Sequence, residues 1–433
     1  MKKFVVLILL LLTTATYATV WYVHPDSALN SIQAALDSCS NDDTVLVGPG
    51  MYNENIWWPC IQGIDLVSEH GPDSTTIIFA PYPGHPAIKI TSNLIDWSTI
   101  INGFTITSIW ECGIYLIIAS PTISDNIIYM CSRAAIKCYN SSPIISNNII
   151  KGCNCDWYYN YGIVTCSNSS AYIYDNLFID NYTQPGFSGV IYCEQSSPII
   201  NHNTITSNDG ISIYCCDSSS PLISNNTISQ NYWYYGIECR NNSSPIIDSN
   251  TISMNRGGIT CSDSANPVIN YNNIIDNFEY GVLNEDSNVT VDARYNWWGD
   301  ASGPYHPDSN PGGLGDSVSD YVNFTPWLDA PFGIVEHRPI PTKFTALQIY
   351  PNPFREKTDI RYVISDNSII DLKIYDITGC LVREFRSTPD ALCSTQFTWD
   401  GCDDAGNRVP SSIYFIKFSA GDYRETRKLV LLK

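Results

Sequence analysis

Three kinds of side chain in this sequence stand where they could do chemistry: carboxylates in turns, a thin scatter of bases, and runs of aromatic rings. Hydrolysis of a glycosidic bond needs two carboxylates facing one another across a groove. Asp125, Asp175 and Asp248 stand one or two residues before a recurrent Asn, and a single Asp in a turn is by default a solvated turn former. Proton abstraction beside a carboxylate needs a base together with cationic groups or a divalent ion to neutralise the substrate. Between residues 100 and 298 the basic residues are Arg133, Lys137, Lys151, Arg240, Arg256 and Arg294, scattered without a cluster, and the lone His202 reads as inert. No catalytic residue is assigned on this basis.

The rings are more organised. Asp156-Trp157-Tyr158-Tyr159-Asn160-Tyr161 runs up to Gly162, Tyr232-Trp233-Tyr234-Tyr235 runs up to Gly236, and Phe278 and Tyr280 precede Gly281. If these glycines are equivalent, the rings lie along one edge. A line of exposed rings suits sugar stacking, with apolar faces and polar rims; the plainer reading is that they pack on each other to shield the edge. The candidate binding residues are therefore Trp157, Tyr158, Tyr159, Tyr161, Tyr232, Trp233, Tyr234 and Tyr235.

Equivalence comes from a repeat. Pro121, Pro143, Ala171, Pro198, Pro221, Pro245 and Pro267 open seven similar units, and an Ile follows each two residues later. The fifth residue after the opening is always Asn: Asn126, Asn148, Asn176, Asn203, Asn226, Asn250 and Asn272, with Asn102 extending the series backwards. Ten residues after it stand Cys131, Cys153, Asn181, Asn208, Asn231, Asn255 and Asn277. Units of about two dozen residues with period-two alternation of Ile, Val, Thr and Tyr predict two or three short strands per coil, and coils that bury their apolar face only by stacking. An inward amide column satisfies itself by donating from rung to rung, a structural ladder, and Asn also tolerates the left-handed backbone of a corner. A further column of Cys138, Cys166, Cys193, Cys215 or Cys216, Cys239 and Cys261 reads as small apolar filler; it lacks the paired spacing of a metal site. No metal and no cofactor is expected.

The ends bound the stack. Ala28, Leu29, Ile32, Ala35 and Leu36 stand at helical spacing and predict a capping helix over Ser27–Cys39. At the far end Trp297 and Trp298 are expected to cover the last rung. Residues 1–18 have the charged, apolar and small-residue segments of an export signal, and the apolar run Phe4–Leu12 is too short to span a bilayer. Residues 19–335 hold 7 basic against 30 acidic residues, a net of −23, while residues 336–433 hold 14 against 13. Nucleic acid is thereby disfavoured as a partner. The expected organisation is a signal peptide at 1–18, a solenoid at 19–329, a Pro-rich linker at 330–341 and a C-terminal β-sandwich of about seven strands at 342–433.

These columns resemble the right-handed parallel β-helix repeats of the pectin-lyase-like superfamily. The resemblance implies an all-β fold, a right-handed parallel β-helix with a helical cap. The C-terminal segment, with Tyr350-Pro351-Asn352-Pro353-Phe354, Ile374-Tyr375-Asp376-Ile377-Thr378-Gly379, Trp399-Asp400-Gly401 and the ending Lys428–Lys433, looks like a type IX secretion sorting domain or the related FlgD-type Ig-like domain. That resemblance implies export machinery as a partner and a secreted or cell-surface location, with no transmembrane segment. The function expected is a non-enzymatic surface protein presenting a face to polysaccharide or surface glycan; the alternative is a polysaccharide lyase or glycoside hydrolase of the same fold.

Overall fold

The computed structural model describes residues 18–433 except 73–74, 79–83, 156–161, 185, 187, 334–345, 351–356, 364–369, 378, 387–395, 421–422 and 432–433. The expected export signal, but for its last residue, and most of the linker lie outside this set. The chain divides into two compact units, Met1–Ile334 and Val335–Lys433.

The first unit is a parallel solenoid with three sheets, and each regular coil contributes one strand to each sheet. The first sheet has thirteen strands, from Val20–Val23 to Val322–Asn323; the second, from Gly50–Asn53 to Asn273–Ile275, and the third, from Ile56–Trp57 to Val282–Asn284, have ten each. Register runs straight up the stack. Ile123, Ile145, Ile173, Ile200, Ile223, Ile247 and Ile269 pair in succession in the first sheet, and all are fully buried. Burying one such side chain is worth roughly 1.5–3 kcal/mol, so each coil gains its core only when a neighbour lies on either side. In the third sheet the column is Cys138, Cys166, Cys193, Cys215, Cys239 and Cys261, which resolves the choice at 215 and 216: Cys215 points inward.

Three corners join the three strands, and each obeys one rule. A residue with a left-handed backbone is followed by an inward side chain whose oxygen or sulfur accepts the corner N–H of the preceding coil. At the first corner the amides of Asn126, Asn148, Asn176, Asn203, Asn226, Asn250 and Asn272 each donate from Nδ2 to the Oδ1 one rung on, at 3.0–3.1 Å. Each of these seven also donates its backbone N–H to the same oxygen. The run ends at Asn296. At the second corner Cys131 N–H meets Cys153 Sγ at 3.4 Å, Cys153 N–H meets Asn181 Oδ1, and amides continue to Asn277. At the third, Ser141, Ser169, Ser196, Ser219 and Ser243 present Oγ to the N–H of the preceding rung at 2.9–3.2 Å.

Two expectations are corrected here. The left-handed residue is not the ladder Asn but its predecessor: Asp125, Asn147, Asp175, His202, Asn225, Ser249 and Tyr271 all have φ near +55 to +60°. The reason is geometric, since the left-handed step is what turns the next side chain inward. Asn102 is also not a ladder member. It pairs with Ser124, Gly103 takes the left-handed step, and Phe104 fills the ladder position, donating its N–H to Asn126 Oδ1 at 2.9 Å.

The cap helix covers only Ile32–Leu36, shorter than the predicted Ser27–Cys39. Pro25 to Asn30 instead forms a turn closed by Ser27 N–H on His24 O and Ser27 Oγ on Leu29 O. Its first turn is satisfied from elsewhere in the chain: Glu54 accepts from Ile32 N, Gln33 N and Ser31 Oγ at 2.8–3.0 Å, placing a carboxylate where backbone N–H groups are unpaired. At the other end Trp298 is fully buried. The second unit holds two antiparallel sheets. One is Ala346–Tyr350, Thr358–Val363 and Gln396–Trp399; the other, in spatial order, is Leu381–Arg386, Ile370–Tyr375, Ile413–Ala420 and Tyr423–Val430. The last strand begins at Tyr423, before the expected Lys428, because it pairs with Ile413–Ala420 along its whole length. Leu372, Ile374, Trp399, Tyr414, Ile416 and Phe418 form the core of this unit.

Two outcomes follow for stability. Asn203→Ala strips the acceptor from Asn176 N and a donor from Ile173 O, while Asn176 Nδ2 keeps Ile145 O and Tyr174 O; with each orphaned buried group costing about 1–3 kcal/mol, denaturant titration should show a loss of about 2 kcal/mol or more. At the end of the second ladder Asp316 Oδ2 accepts from Asn277 N and Nδ2 at 3.1 and 2.8 Å, and burial pushes its carboxyl up to about 6 against the opposing Asn277 bonds, with Asp276 adding to the rise. A folded pKa above the unfolded one means the proton is held more tightly in the fold, so this contribution is complete below about pH 4 and is lost as pH rises through about 6. Asp316→Asn, which keeps the acceptor without the charge, should raise the thermal midpoint at pH 7 and leave it unchanged at pH 3.5.

Candidate functional site

The outward row of the third sheet gathers the side chains with chemical potential. Along it the register places Trp57, Lys89, Tyr115, Lys137, Thr165, Tyr192, Tyr214, Glu238 and Thr260 on successive rungs. The first four alternate ring and cation. Lys89 Nζ lies 4.9 Å from the centre of Trp57, and Lys137 Nζ lies 5.3 Å from that of Tyr115. Such contacts are worth about 0.5–1 kcal/mol at exposed sites, and they hold both ammonium groups against the sheet.

Beside this row Glu111 and Arg133, in the segments leading into the third-sheet strands, form an ion pair. Lys89, Tyr115, Lys137, Glu111 and Arg133 line one concavity of about 180 Å³. Read along the sequence these bases are scattered; the structure brings two of them together, with Lys89 from an earlier coil. The correction comes from register, because a coil of about two dozen residues makes neighbours of positions 22–26 apart. Cys112 also lines the concavity, but burial and then Glu111 push its thiol up to about 12, so it stays protonated.

The middle of the row is closed. Tyr192 and Tyr214 stack at 5.5 Å with planes 3° apart, both buried with Ile211 and Cys216, and Tyr234 packs against this cluster. Burial raises Glu238's carboxyl above its ordinary range in spite of the adjoining Arg240. Towards the far end the edge opens. Trp233 is 74% exposed, Tyr232 50% and Phe278 67%, and the Tyr232 and Phe278 rings meet at 5.9 Å. Tyr235 is half-buried under Arg256, whose Nε donates to Glu279 at 2.9 Å. The four candidate residues 232–235 thus divide: Tyr232 and Trp233 face solvent, whereas Tyr234 and Tyr235 pack against the coil. Trp157, Tyr158, Tyr159 and Tyr161 lie outside the described residues.

The remaining candidates do not converge. Asp125 and Asp175 sit on the first corner two rungs apart, ~10 Å at the spacing of parallel strands, and Asp248 lies on the first sheet. Among the described residues no three His, Cys, Asp or Glu side chains are arranged to hold a metal ion, and no disulfide links the described cysteines. Hydrogen bonding to the neighbouring thiol, together with burial, pushes Cys138 and Cys193 well above the ordinary range, which leaves them unreactive. Lys89 and Trp57 were not among the candidates read from the sequence; the signal available was their shared parity, each directly following the Ile that opens a short strand, as Tyr115 and Lys137 do, and it needs the register to be read.

Residues 88–232 and 188–300 match the family described as right-handed β-helix region, and residues 348–432 match the secretion-system C-terminal sorting domain. A sorting domain of this kind indicates a secreted or cell-surface location by type IX secretion. No curated protein matches the chain. Among solved structures, PorZ, a surface component of the type-IX secretion system of Porphyromonas gingivalis, is 22% identical over 20% of this chain and 12% of its own, with a TM-score of 0.17. PorU from the same organism is matched over 9% of its length, so the chain spans about a tenth of either. An alginate lyase from Paenibacillus is 15% identical over 62% of this chain and 98% of its own, and the pectate lyase Pel9A 13% over 72% and 80%, each with a TM-score of 0.40. No helix among the described residues is long and apolar enough to cross a membrane.

The division of the rings is open to measurement. Tyr214→Ala removes one face of a buried stack and should cost about 3 kcal/mol or more, while Trp233→Ala, mostly in solvent, should stay within about 0.5 kcal/mol of the parent. Equal losses in a denaturant titration would show that the Trp233 ring is packed after all.

Proposed function

We propose that this right-handed β-helix protein, carried out of the cell by its type IX sorting domain, is a polysaccharide-binding surface protein. Its reading site is the outward row of the third sheet. The observation that carries the proposal is the convergence of Lys89, Lys137 and Arg133 with Tyr115 in one concavity. Residues 19–335 bear a net charge of −23, so three cations drawn together are set against the trend of the whole surface.

Charge and ring together define the ligand. Arg133 pairs with Glu111, while the Lys89 and Lys137 ammonium groups, each lying over a ring, add positive charge for an anion, and the Tyr115 and Trp57 rings offer apolar contact beside it. The attraction is local, because screening confines it to ~8–10 Å and the acidic body repels a dense polyanion beyond that distance. A polysaccharide with a carboxylate met by two lysines and a sugar face met by a ring satisfies both terms. Farther up the row, Trp233 and Tyr232 offer a second stacking surface.

A second reading is supported by the same concavity. Lys137, Tyr115 and the Glu111–Arg133 pair are the residue types that β-elimination employs: a base for the proton beside the carboxylate, a hydroxyl for the leaving oxygen and cations for the substrate charge. In that reading the chain is a polysaccharide lyase.

Retention of the full chain on an immobilised, partly methyl-esterified galacturonan, whose carboxylates are sparse, against neutral dextran, tests the proposal. Exposed ion pairs contribute about 0.2–1 kcal/mol each, so the Lys89→Gln, Lys137→Gln double variant should bind the acidic polymer about tenfold more weakly, with Trp57→Ala losing several-fold. Absence of retention in the parent, or equal retention in the double variant, would overturn it. Absorbance of an unsaturated uronate in the same incubation would move the assignment to the lyase reading.

A further inference from the structure

A second concavity lies at the opposite end of the solenoid. It encloses about 490 Å³ and is lined by Tyr280, Tyr305, His306, Ser317, Ser319 and Asp320, with Glu279 at its margin. That volume lies in the range of small-ligand sites. Along the third sheet the strand Val282–Asn284, beside Tyr280, stands six strand steps from Lys137 and eight from Lys89, or ~30–40 Å at the spacing of parallel strands. The two concavities cannot share one sugar residue.

The loop that forms it is built rather than draped. Asp300 accepts from Ser302 N and Oγ, Asn310 Nδ2 donates to Ser302 O and Pro304 O, and Leu314 N donates to Ser302 Oγ. A Cβ on Gly313 would stand 2.2 Å from Pro304 O, and one on Gly315 would stand 2.4 Å from Trp298 O, so only glycine allows the loop to close on the last coil. His306 is buried and stacked on Phe324 at 6.1 Å. Its Nδ1 accepts the N–H of Asp308 and Ser309 at 3.2 and 3.1 Å, which assigns the ring proton to Nε2. That nitrogen lies 3.3 Å from Asp320 Oδ1. The imidazole is held in one orientation beside the carboxylate of Asp320, which is itself 76% exposed.

The lining selects a ligand class. Tyr280 and Tyr305 are 37% and 44% exposed, two rings at the rim with apolar faces available. Asp320 has about four acceptor positions. Glu279 is occupied by Arg256, and no Lys or Arg lines the concavity. Rings beside an exposed carboxylate, with no Lys or Arg in the lining, suit a polyhydroxyl ring that stacks and donates hydroxyl hydrogens. An anionic sugar would meet Asp320 without compensation.

We infer that this concavity is a second saccharide site, specific for a neutral sugar ring, at the C-terminal end of the β-helix. It is chemically opposite to the cationic site proposed above and does not depend on it. A chain holding both would take a polysaccharide, or two, at positions that differ in charge.

The test is saturation-transfer NMR and calorimetry on the full chain with cellohexaose, mannohexaose and laminarihexaose as neutral probes, and with a chitosan hexamer and hexagalacturonate as charged ones. At least one neutral hexasaccharide should bind. Tyr305→Ala should weaken it about tenfold, the scale of losing one stacked ring, and Asp320→Asn should weaken it several-fold. The Lys89→Gln, Lys137→Gln double variant should leave it unchanged while weakening any binding of hexagalacturonate. Both tested side chains are exposed, so the variants should keep the parent's thermal midpoint. No binding of any neutral probe, binding of the chitosan hexamer alone, or full affinity in both Tyr305→Ala and Asp320→Asn would overturn the inference. Loss of hexagalacturonate binding alone would bear on the cationic site and leave this one standing.

Discussion

The solenoid's corners depend on one hydrogen bond, a backbone N–H given to an inward side chain on the next coil; where Ala265 stands at the third corner, Ser243 N–H turns to Arg240 O instead. Strand pairing satisfies the backbone along the sheets, but a corner has no strand partner, and an orphan N–H in a dry interior costs about 1–3 kcal/mol. The inward side chain supplies the missing acceptor. It can do so only if the preceding residue takes the left-handed conformation, which costs a non-glycine residue about 1–2 kcal/mol. Met130, Tyr271 and Tyr295 adopt it with no intrinsic preference for it. The ladder therefore outweighs local propensity at those positions, and the corner is imposed by the stack.

This explains which features were legible in the sequence and which were not. The Asn column was plain because one side chain must both accept and donate up the stack, so the residue type could not drift. The Ser column at 141, 169, 196, 219 and 243 performs the same task at the third corner, yet Ser is so frequent beside the Pro positions that it passed for turn composition. Asn102 misled because it precedes Gly103 in the place where an Asn was due, and only the pairing of Asn102 with Ser124 reveals the offset. The five-residue helix shows the same effect: apolar spacing marked Ile32, Ala35 and Leu36 correctly, whereas the start was decided by Glu54, more than twenty residues away.

The candidate sites were legible only in part for a related reason. Rings before Gly236 and Gly281 could be seen as an edge, since they are contiguous in sequence. The cationic concavity could not, because Lys89, Tyr115 and Lys137 belong to three different coils and become neighbours through register alone. The insertion lengths that vary the spacing of the Asn column fall between the second corner and the third sheet. Variation is tolerated there because the corner bonds close before it and strand pairing resumes after it. The proposed sites accordingly lie on the outward row of the third sheet and in the loops that border it.

The second corner carries the argument one step further. Its acceptors are Cys153 for the first rung and amides thereafter, closing on the carboxylate of Asp316. A thiol is a weak acceptor, and the 3.4 Å contact of Cys131 N–H with Cys153 Sγ is longer than the amide contacts above it. The second corner therefore runs from a sulfur acceptor, where the chain leads through Ser132 into Arg133 and the cationic concavity, to a carboxylate at Asp316, and one demand, an inward acceptor for each corner N–H, is met along it by three kinds of side chain.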